Sequence, residues 1–238
     1  MTHTPGTRIA LVTGGTGALG KAVVAGFVDA GFDVHVSWMV QQELDGLRTT
    51  LGPAADALHV HQADVSDPAA VRQLIDEVTR DHGRVDVLAN LVGGFARAPL
   101  GETDPEVWLK MLTLNATTAF LCCRYAAPHM HGRGWGRIIN VVAVPAVERG
   151  AANMSAYAAS KAAVLNLTQS LSKELVGDGI TVNAIVPSTI DTPANRAAMP
   201  DVDTSAWLEP AAIAEVVLWL AGESAGIVTG TAVMLSRG

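Results

Sequence analysis

Short runs of β-branched and aliphatic residues recur along the chain, each followed by a longer stretch in which apolar residues return every three or four positions. The short runs are Arg8 to Thr13, Asp33 to Trp38, Leu58 to His61, Val85 to Ala89, Arg137 to Val142, Ile180 to Ile185 and Ala232 to Leu235, which read as seven strands. The amphipathic stretches fall near 18–30, 41–51, 67–82, 104–130, 154–176 and 210–221 and read as helices. Such alternation predicts a parallel sheet covered by helices on both faces, a doubly wound α/β architecture. Ser66-Asp67-Pro68 and Thr103-Asp104-Pro105 have the cap-then-proline order of helix starts. No repeat, low-complexity tract or linker interrupts the pattern, and 238 residues with 49% hydrophobic content suffice for one core. Residues 1–238 are therefore expected to form a single domain, with a mobile lid at 189–208 where Pro193, Pro200 and short polar residues gather.

Composition removes several functions. A net charge of −7, with no two basic residues adjacent, leaves no basic stripe for a phosphate backbone, so nucleic acid is not an expected partner. The apolar runs fall far short of the eighteen residues that a membrane span needs, so no membrane helix is expected. The start, Met1 to Gly6, has no basic region followed by an apolar one, so a cytoplasmic protein without a secretion signal is expected. Cys122 and Cys123 adjoin each other within a helical pattern and read as reduced, buried thiols. The histidines are scattered along the chain and the cysteine pair lacks metal-ligand spacing, so no metal site is expected.

Thr13-Gly14-Gly15-Thr16-Gly17-Ala18-Leu19-Gly20 lies between the first strand and the first helix. There the pyrophosphate of NAD or NADP would meet backbone N–H groups and the positive helix end. A glycine turn also serves as a plain tight connection; its place on the first strand–helix unit favours the nucleotide. About twenty residues beyond such a turn an acidic side chain selects NAD and an arginine accommodates NADP. Here Val36 to Val40 offers neither, so the preference stays open, with Trp38 placed to pack beside the adenosine.

Tyr157 and Lys161 stand four apart in a helical pattern, on one face, where both can converge on one substrate atom. A nearby ammonium and a positively charged nicotinamide favour the phenolate, which predicts a lowered phenol pKa suited to general acid–base catalysis. The glycine turn and the Tyr-x-x-x-Lys pair together resemble the short-chain dehydrogenase/reductase family, in its compact single-domain branch with a Rossmann fold. Ala18 stands where that branch has its middle glycine, and Gly17 gives the spacing of the extended branch.

Further landmarks extend the resemblance along nearly the whole chain. They imply that Asp64 and Val65 contact the adenine, that Asn90 and Gly93 border the cofactor, and that Asn115 supports the lysine. They imply as well that Pro187, Ser188, Ile190 and Thr192 lie along the nicotinamide, and that Lys161 holds the nicotinamide ribose. Helices 104–130 and 154–176 correspond to those that pair subunits in family tetramers, which implies a homo-oligomer, dimer or tetramer. The family serine after the fifth strand is replaced by Ala143, and Ser155 lies on a helix position that aims elsewhere.

Phe95, Ala143, Val144, Pro145, Met154, Pro193 and Trp207 are expected to surround a small-molecule substrate in an apolar pocket without a charged partner. The expected activity is hydride transfer between nicotinamide and a neutral, fairly apolar carbonyl or alcohol, with Tyr157 exchanging the proton. Two alternatives stay open: a reductase of a quinonoid substrate, similar to the dihydropteridine reductases that lack the same serine, and a cofactor-binding scaffold or sensor with little turnover.

Overall fold

The apolar runs pair in parallel into one sheet, in the order β3-β2-β1-β4-β5-β6-β7. The strands are β1 (Ile9–Thr13), β2 (Asp33–Trp38), β3 (His59–Gln62), β4 (Val87–Asn90), β5 (Gly136–Val141), β6 (Ile180–Pro187) and β7 (Ala232–Leu235). The computed structural model describes residues 6–148 and 150–237; most of the segment read for a secretion signal, 1–5, lies outside them. Strand order reverses beside β1, between β2 on one side and β4 on the other, which opens a crevice at the carboxyl ends of the strands. The helices are α1 (Ala18–Asp29), α2 (Gln41–Leu51), α3 (Pro68–Thr79), α4 (Pro105–Met111), α5 (Thr118–Ala126), α6 (Val144–Val147), α7 (Ser155–Leu175), α8 (Pro193–Ala198) and α9 (Pro210–Ala221). No helix among the described residues is long and apolar enough to cross a membrane.

Strand side chains alternate between two apolar layers. Ile9 and Leu11 of β1 join Val71, Leu74 and Ile75 of α3 and Leu121 of α5. Ala10 and Val12 face the other way, onto Val23, Val24 and Phe27 of α1 and Ile213 and Val217 of α9. Asp67 caps α3 as its sequence position predicts, its carboxylate accepting from the Ala69 amide at 3.0 Å. Cys122 and Cys123 are buried free thiols, and burial pushes Cys123 up to about 12, which leaves it inert.

Three local features depart from the periodicity. The stretch 104–130 is interrupted between α4 and α5 by a π-helical turn, Leu112–Thr117. Apolar spacing cannot register the extra residue of such a bulge, which here turns Asn115 into the interior. The segment 189–208 contains α8, capped by the Thr192 hydroxyl, and its ends are tied by Leu208 N–H to Thr189 O at 2.9 Å and Asp191 N–H to Leu208 O at 2.8 Å. The histidines, scattered in sequence, are not all scattered in space: pairing of β2 with β3 brings His35 opposite His59, and the His35 and His61 rings are bonded at 3.0 Å. Register between strands is a long-range property that linear spacing does not express.

A polar seam runs through the apolar core. The Asn90 amide donates to Asn140 Oδ1 at 2.9 Å, and Asn140 Nδ2 donates to Thr168 Oγ1 at 2.9 Å, joining β4, β5 and α7. Asn140→Ala leaves the Asn90 amide and the Thr168 hydroxyl short of a partner, and is expected to cost about 2–3 kcal/mol. For a domain of this size that corresponds to a melting temperature lower by roughly 4–12 °C, which calorimetry would register.

Candidate active site

β1 ends at Thr13 and the chain turns at once into α1. Gly14 has φ +68°, a left-handed conformation, and a Cβ there would lie 2.9 Å from the Val92 amide nitrogen. A Cβ on Gly15 would meet Val36 Cγ1 at 2.7 Å, and one on Gly20 would overlap the Gly14 carbonyl oxygen. Space around Gly17, by contrast, admits a Cβ at 3.5 Å from that oxygen, so its family-variant spacing carries no steric demand. Gly17 is instead the N-cap of α1, which has no side-chain cap and no acidic residue in its first turn. The turn is a backbone cradle at a positive helix end, with Thr13, Gly14, Thr16, Gly17, Ala18, Leu19 and Gly20 around it, and it fits a dinucleotide pyrophosphate. Gly15, absent from the sequence-based set, belongs with them; the Gly-Gly pair was its signal.

Thr16 is buried and its hydroxyl donates to Glu43 Oε2 on α2 at 3.0 Å, a partner that motif reading missed. Trp38 is half-buried at the end of β2. Asp64 follows β3, and its Oδ1 accepts from the Ser66 hydroxyl at 2.7 Å and the Ser66 amide at 2.9 Å, bonds that hold the carboxyl below its usual range. Val65 packs into the core instead of lining an open surface.

The glycine turn connects directly to the residues beyond β4. Leu91 N–H donates to Thr13 O at 3.1 Å, and Gly14 abuts Leu91 and Val92. One residue on, a Cβ at Gly93 would sit 2.7 Å from Asn115 Oδ1 and 3.2 Å from Lys161 Nζ, so only glycine lets these groups approach the loop. Asn115 is 1% exposed. Its Oδ1 accepts from Gly94 N–H at 2.9 Å, while Nδ2 donates to Gly94 O at 3.1 Å and to Ser160 Oγ at 2.9 Å. Ser160 Oγ in turn donates to the Tyr157 carbonyl at 2.7 Å. Ser160 is thus a positioning residue that the spacing argument passed over, because it is also an ordinary small residue on a buried helix face.

Tyr157 and Lys161 lie on adjacent turns of α7. The Lys161 ammonium is buried and donates to the Val141 carbonyl at 2.9 Å, at the end of β5; burial lowers its pKa to about 8. Tyr157 is half-buried and meets Phe95 edge-to-face, centroids 4.9 Å apart at 75°. Burial raises its phenol pKa. Lys161 spends its charge on a carbonyl, and desolvation of the phenol prevails.

Ala143, 5% exposed, stands two residues past the end of β5 and its carbonyl accepts from Ala146 N–H at 2.9 Å; no hydroxyl stands at that position. Val144 and Pro145 open α6, and Met154 caps α7. Next to them lies a cavity of about 300 Å³ bordered by Met154, Ser155, Val107 and Arg97. The loop after β4 folds back there, Ala98 N–H bonding to Asn153 O at 2.9 Å, so that exposed Arg97 borders the cavity. Pro187 ends β6 and Ser188 N–H bonds to Leu235 O at 2.9 Å. Ile190 bridges to Leu208, Thr192 caps α8, and Pro193 is exposed in its first turn. Trp207 is buried, 5% exposed.

Comparison with known proteins agrees with this geometry. The short chain dehydrogenase family model matches residues 8–203. A 2-dehydro-3-deoxy-L-rhamnonate dehydrogenase (NAD(+)) from Sphingomonas is 39% identical over 189 residues, covering 78% of this chain and 73% of the relative. An acetoacetyl-CoA reductase from Rhizobium meliloti is 32% identical over 241 residues and 98% of each chain. Among solved structures, a variant of the actinorhodin polyketide ketoreductase with NADPH superposes with a TM-score of 0.89 at 29% identity, covering 98% of this chain and 97% of that one. The chain therefore belongs to the short-chain dehydrogenase family and is an NAD(P)-dependent oxidoreductase.

Proposed function

We propose that the chain is an NAD(P)-dependent carbonyl reductase or alcohol dehydrogenase in which Tyr157 holds and exchanges the proton on the substrate oxygen. The observation that carries this is the joint anchoring of Asn115, Gly93 and Lys161, which Ser160 links to the Tyr157 backbone, at the crevice where the glycine turn ends. The pyrophosphate would rest on the amides of the Gly14–Gly20 turn. Trp38, Asp64 and the backbone of Val65 would border the adenosine, and Asn90, Pro187, Ser188, Ile190 and Thr192 the nicotinamide half. Bound there, the nicotinamide supplies or takes up the hydride at the substrate carbon.

The chain's own groups do the rest. Burial keeps the phenol protonated at neutral pH, so Tyr157 is a proton donor in reduction. Lys161 holds a ribose hydroxyl while charged, and Asn115 fixes the loop against α7. Phe95, Val144, Pro145 and Met154 exclude water and favour an apolar carbonyl compound, with Ala143 leaving the phenol as the one hydroxyl donor. Exposed Trp108 and Leu109 on α4 and Phe120 on α5 support a homo-oligomer, dimer or tetramer, through these helices.

A second reading, a cofactor-binding scaffold or sensor, rests on Ala143, since loss of an oxyanion-type donor costs on the order of a hundredfold or more in rate. A reductase of quinonoid substrates, needing one donor only, reconciles Ala143 with turnover.

Nicotinamide oxidation is expected with a panel of ketones, aldehydes and quinonoid compounds under both reduced cofactors. Tyr157→Phe should lower kcat by about a hundredfold or more while leaving cofactor affinity within a factor of about two; undiminished turnover in that variant removes the assignment. Ala143→Ser is expected to change kcat by less than about tenfold; a gain on the order of a hundredfold would favour the scaffold reading instead. Because Lys161 is charged below pH about 8 and neutral above it, dinucleotide affinity should weaken as pH rises through about 8. Fluorescence titration of the reduced cofactor should show that dependence vanish in Lys161→Met.

A further inference from the structure

At the edge of the sheet remote from Tyr157, β3 has β2 as its one strand neighbour. Asp33 and His35 are two residues apart on β2 and therefore face the same way, and the register sets His59 beside His35 and His61 beside Ser37. These side chains share the face that carries Ile9 and Leu11, strand partners of Asp33 and His35, onto which α3 packs. Asp33 Oδ1 lies 3.1 Å from His59 Nε2, and Asp33 Oδ2 lies 3.7 Å from His35 Nε2. The two imidazoles are stacked, centroids 4.5 Å apart at 13°. One ligand-type atom from each of the three residues falls within 4.8 Å of the others.

Beyond them the hydrogen bonding continues. His35 Nδ1 meets His61 Nε2 at 3.0 Å, and His61 Nδ1 meets Glu77 Oε2 of α3 at 2.9 Å. If Nε2 of His35 gives its lone pair to a cation, its Nδ1–H donates to His61 Nε2, and His61 Nδ1–H donates to Glu77. Every proton in the chain then has an acceptor without any ring becoming charged. This is the carboxylate–histidine support that orients metal-bound imidazoles elsewhere, extended by one ring.

We propose that Asp33, His35 and His59 form a binding site for a divalent transition metal of the Zn²⁺ class, oriented by His61 and Glu77. Two imidazoles and one carboxylate are the donor set such ions prefer over Mg²⁺ or Ca²⁺. Tetrahedral bonds of the usual length separate ligand atoms by about 3.3 Å, close to the 3.1 Å between Asp33 Oδ1 and His59 Nε2. His59, with its side chain 33% exposed, can rotate inward and leaves a solvent-facing position for a fourth ligand. Asp33 and His59 are the first residues of their strands, whereas the cofactor turn and Tyr157 lie at the carboxyl ends. The ion would therefore clamp the edge strand to β2, and its effect falls on stability.

The test uses the full chain without a polyhistidine tag, stripped with EDTA and titrated with Zn²⁺ by calorimetry. One equivalent should bind with micromolar or tighter affinity and raise the melting temperature by roughly 5 °C at a hundredfold excess over Kd. His59→Gln, at a partly exposed position, should weaken binding at least tenfold, and Glu77→Gln by about tenfold or more. His131→Gln, which removes an exposed histidine paired with Asp178, should leave it unchanged. Absence of stoichiometric binding, equal affinity in His59→Gln, or a zinc anomalous-diffraction peak away from Asp33 would overturn the proposal.

Discussion

The side-chain amide of Asn115 makes three hydrogen bonds, two with the backbone of Gly94 and one to Ser160, and the candidate site depends on them. They tie the loop after β4 to α7 through a side chain almost without exposure. A buried amide left without partners is costly, so each bond is an obligation on the geometry as well as a support. The π-helical turn is the backbone consequence: one extra residue between α4 and α5 swings Asn115 off the helix surface and into the interior. Gly93 completes the arrangement by leaving room where any side chain would strike both Asn115 and Lys161.

Burial sets the chemistry of the pair on α7. It raises the phenol of Tyr157 and lowers the ammonium of Lys161, so both groups favour their neutral forms more than free side chains do. A protonated phenol is the form that a carbonyl oxygen needs when it is reduced. Phe95 covers one side of the half-buried Tyr157 ring, edge-to-face. With Ala143 two residues past the end of β5, the environment concentrates hydrogen-bond donation in a single side chain.

The sheet separates two chemistries by position. Its carboxyl ends gather the glycine turn, the Asn115 brace and the proposed catalytic pair, while the flank of β2 and β3 gathers three histidines and two carboxylates. Parallel pairing makes this possible, because loops collect at one end and edge residues lie far from it in the same plane.

The strands, their order along the chain, most helix starts and the Tyr157/Lys161 spacing were determined by the amino-acid sequence alone, since each depends on the period of a local pattern. Strand ends moved by a residue or two: β3 begins at His59 instead of Leu58, and β6 runs on to Pro187. The glycine turn was readable for the same local reason, although which glycines are sterically required, Gly14, Gly15 and Gly20, emerged only from what packs against them. Tertiary structure alone decided the inward turn of Asn115, the role of Ser160, the placing of Arg97 and the meeting of His35, His59 and His61. It also decided the direction in which Tyr157 titrates. Each of these depends on groups distant in sequence, and desolvation and strand register sum over neighbours that no spacing along the chain specifies.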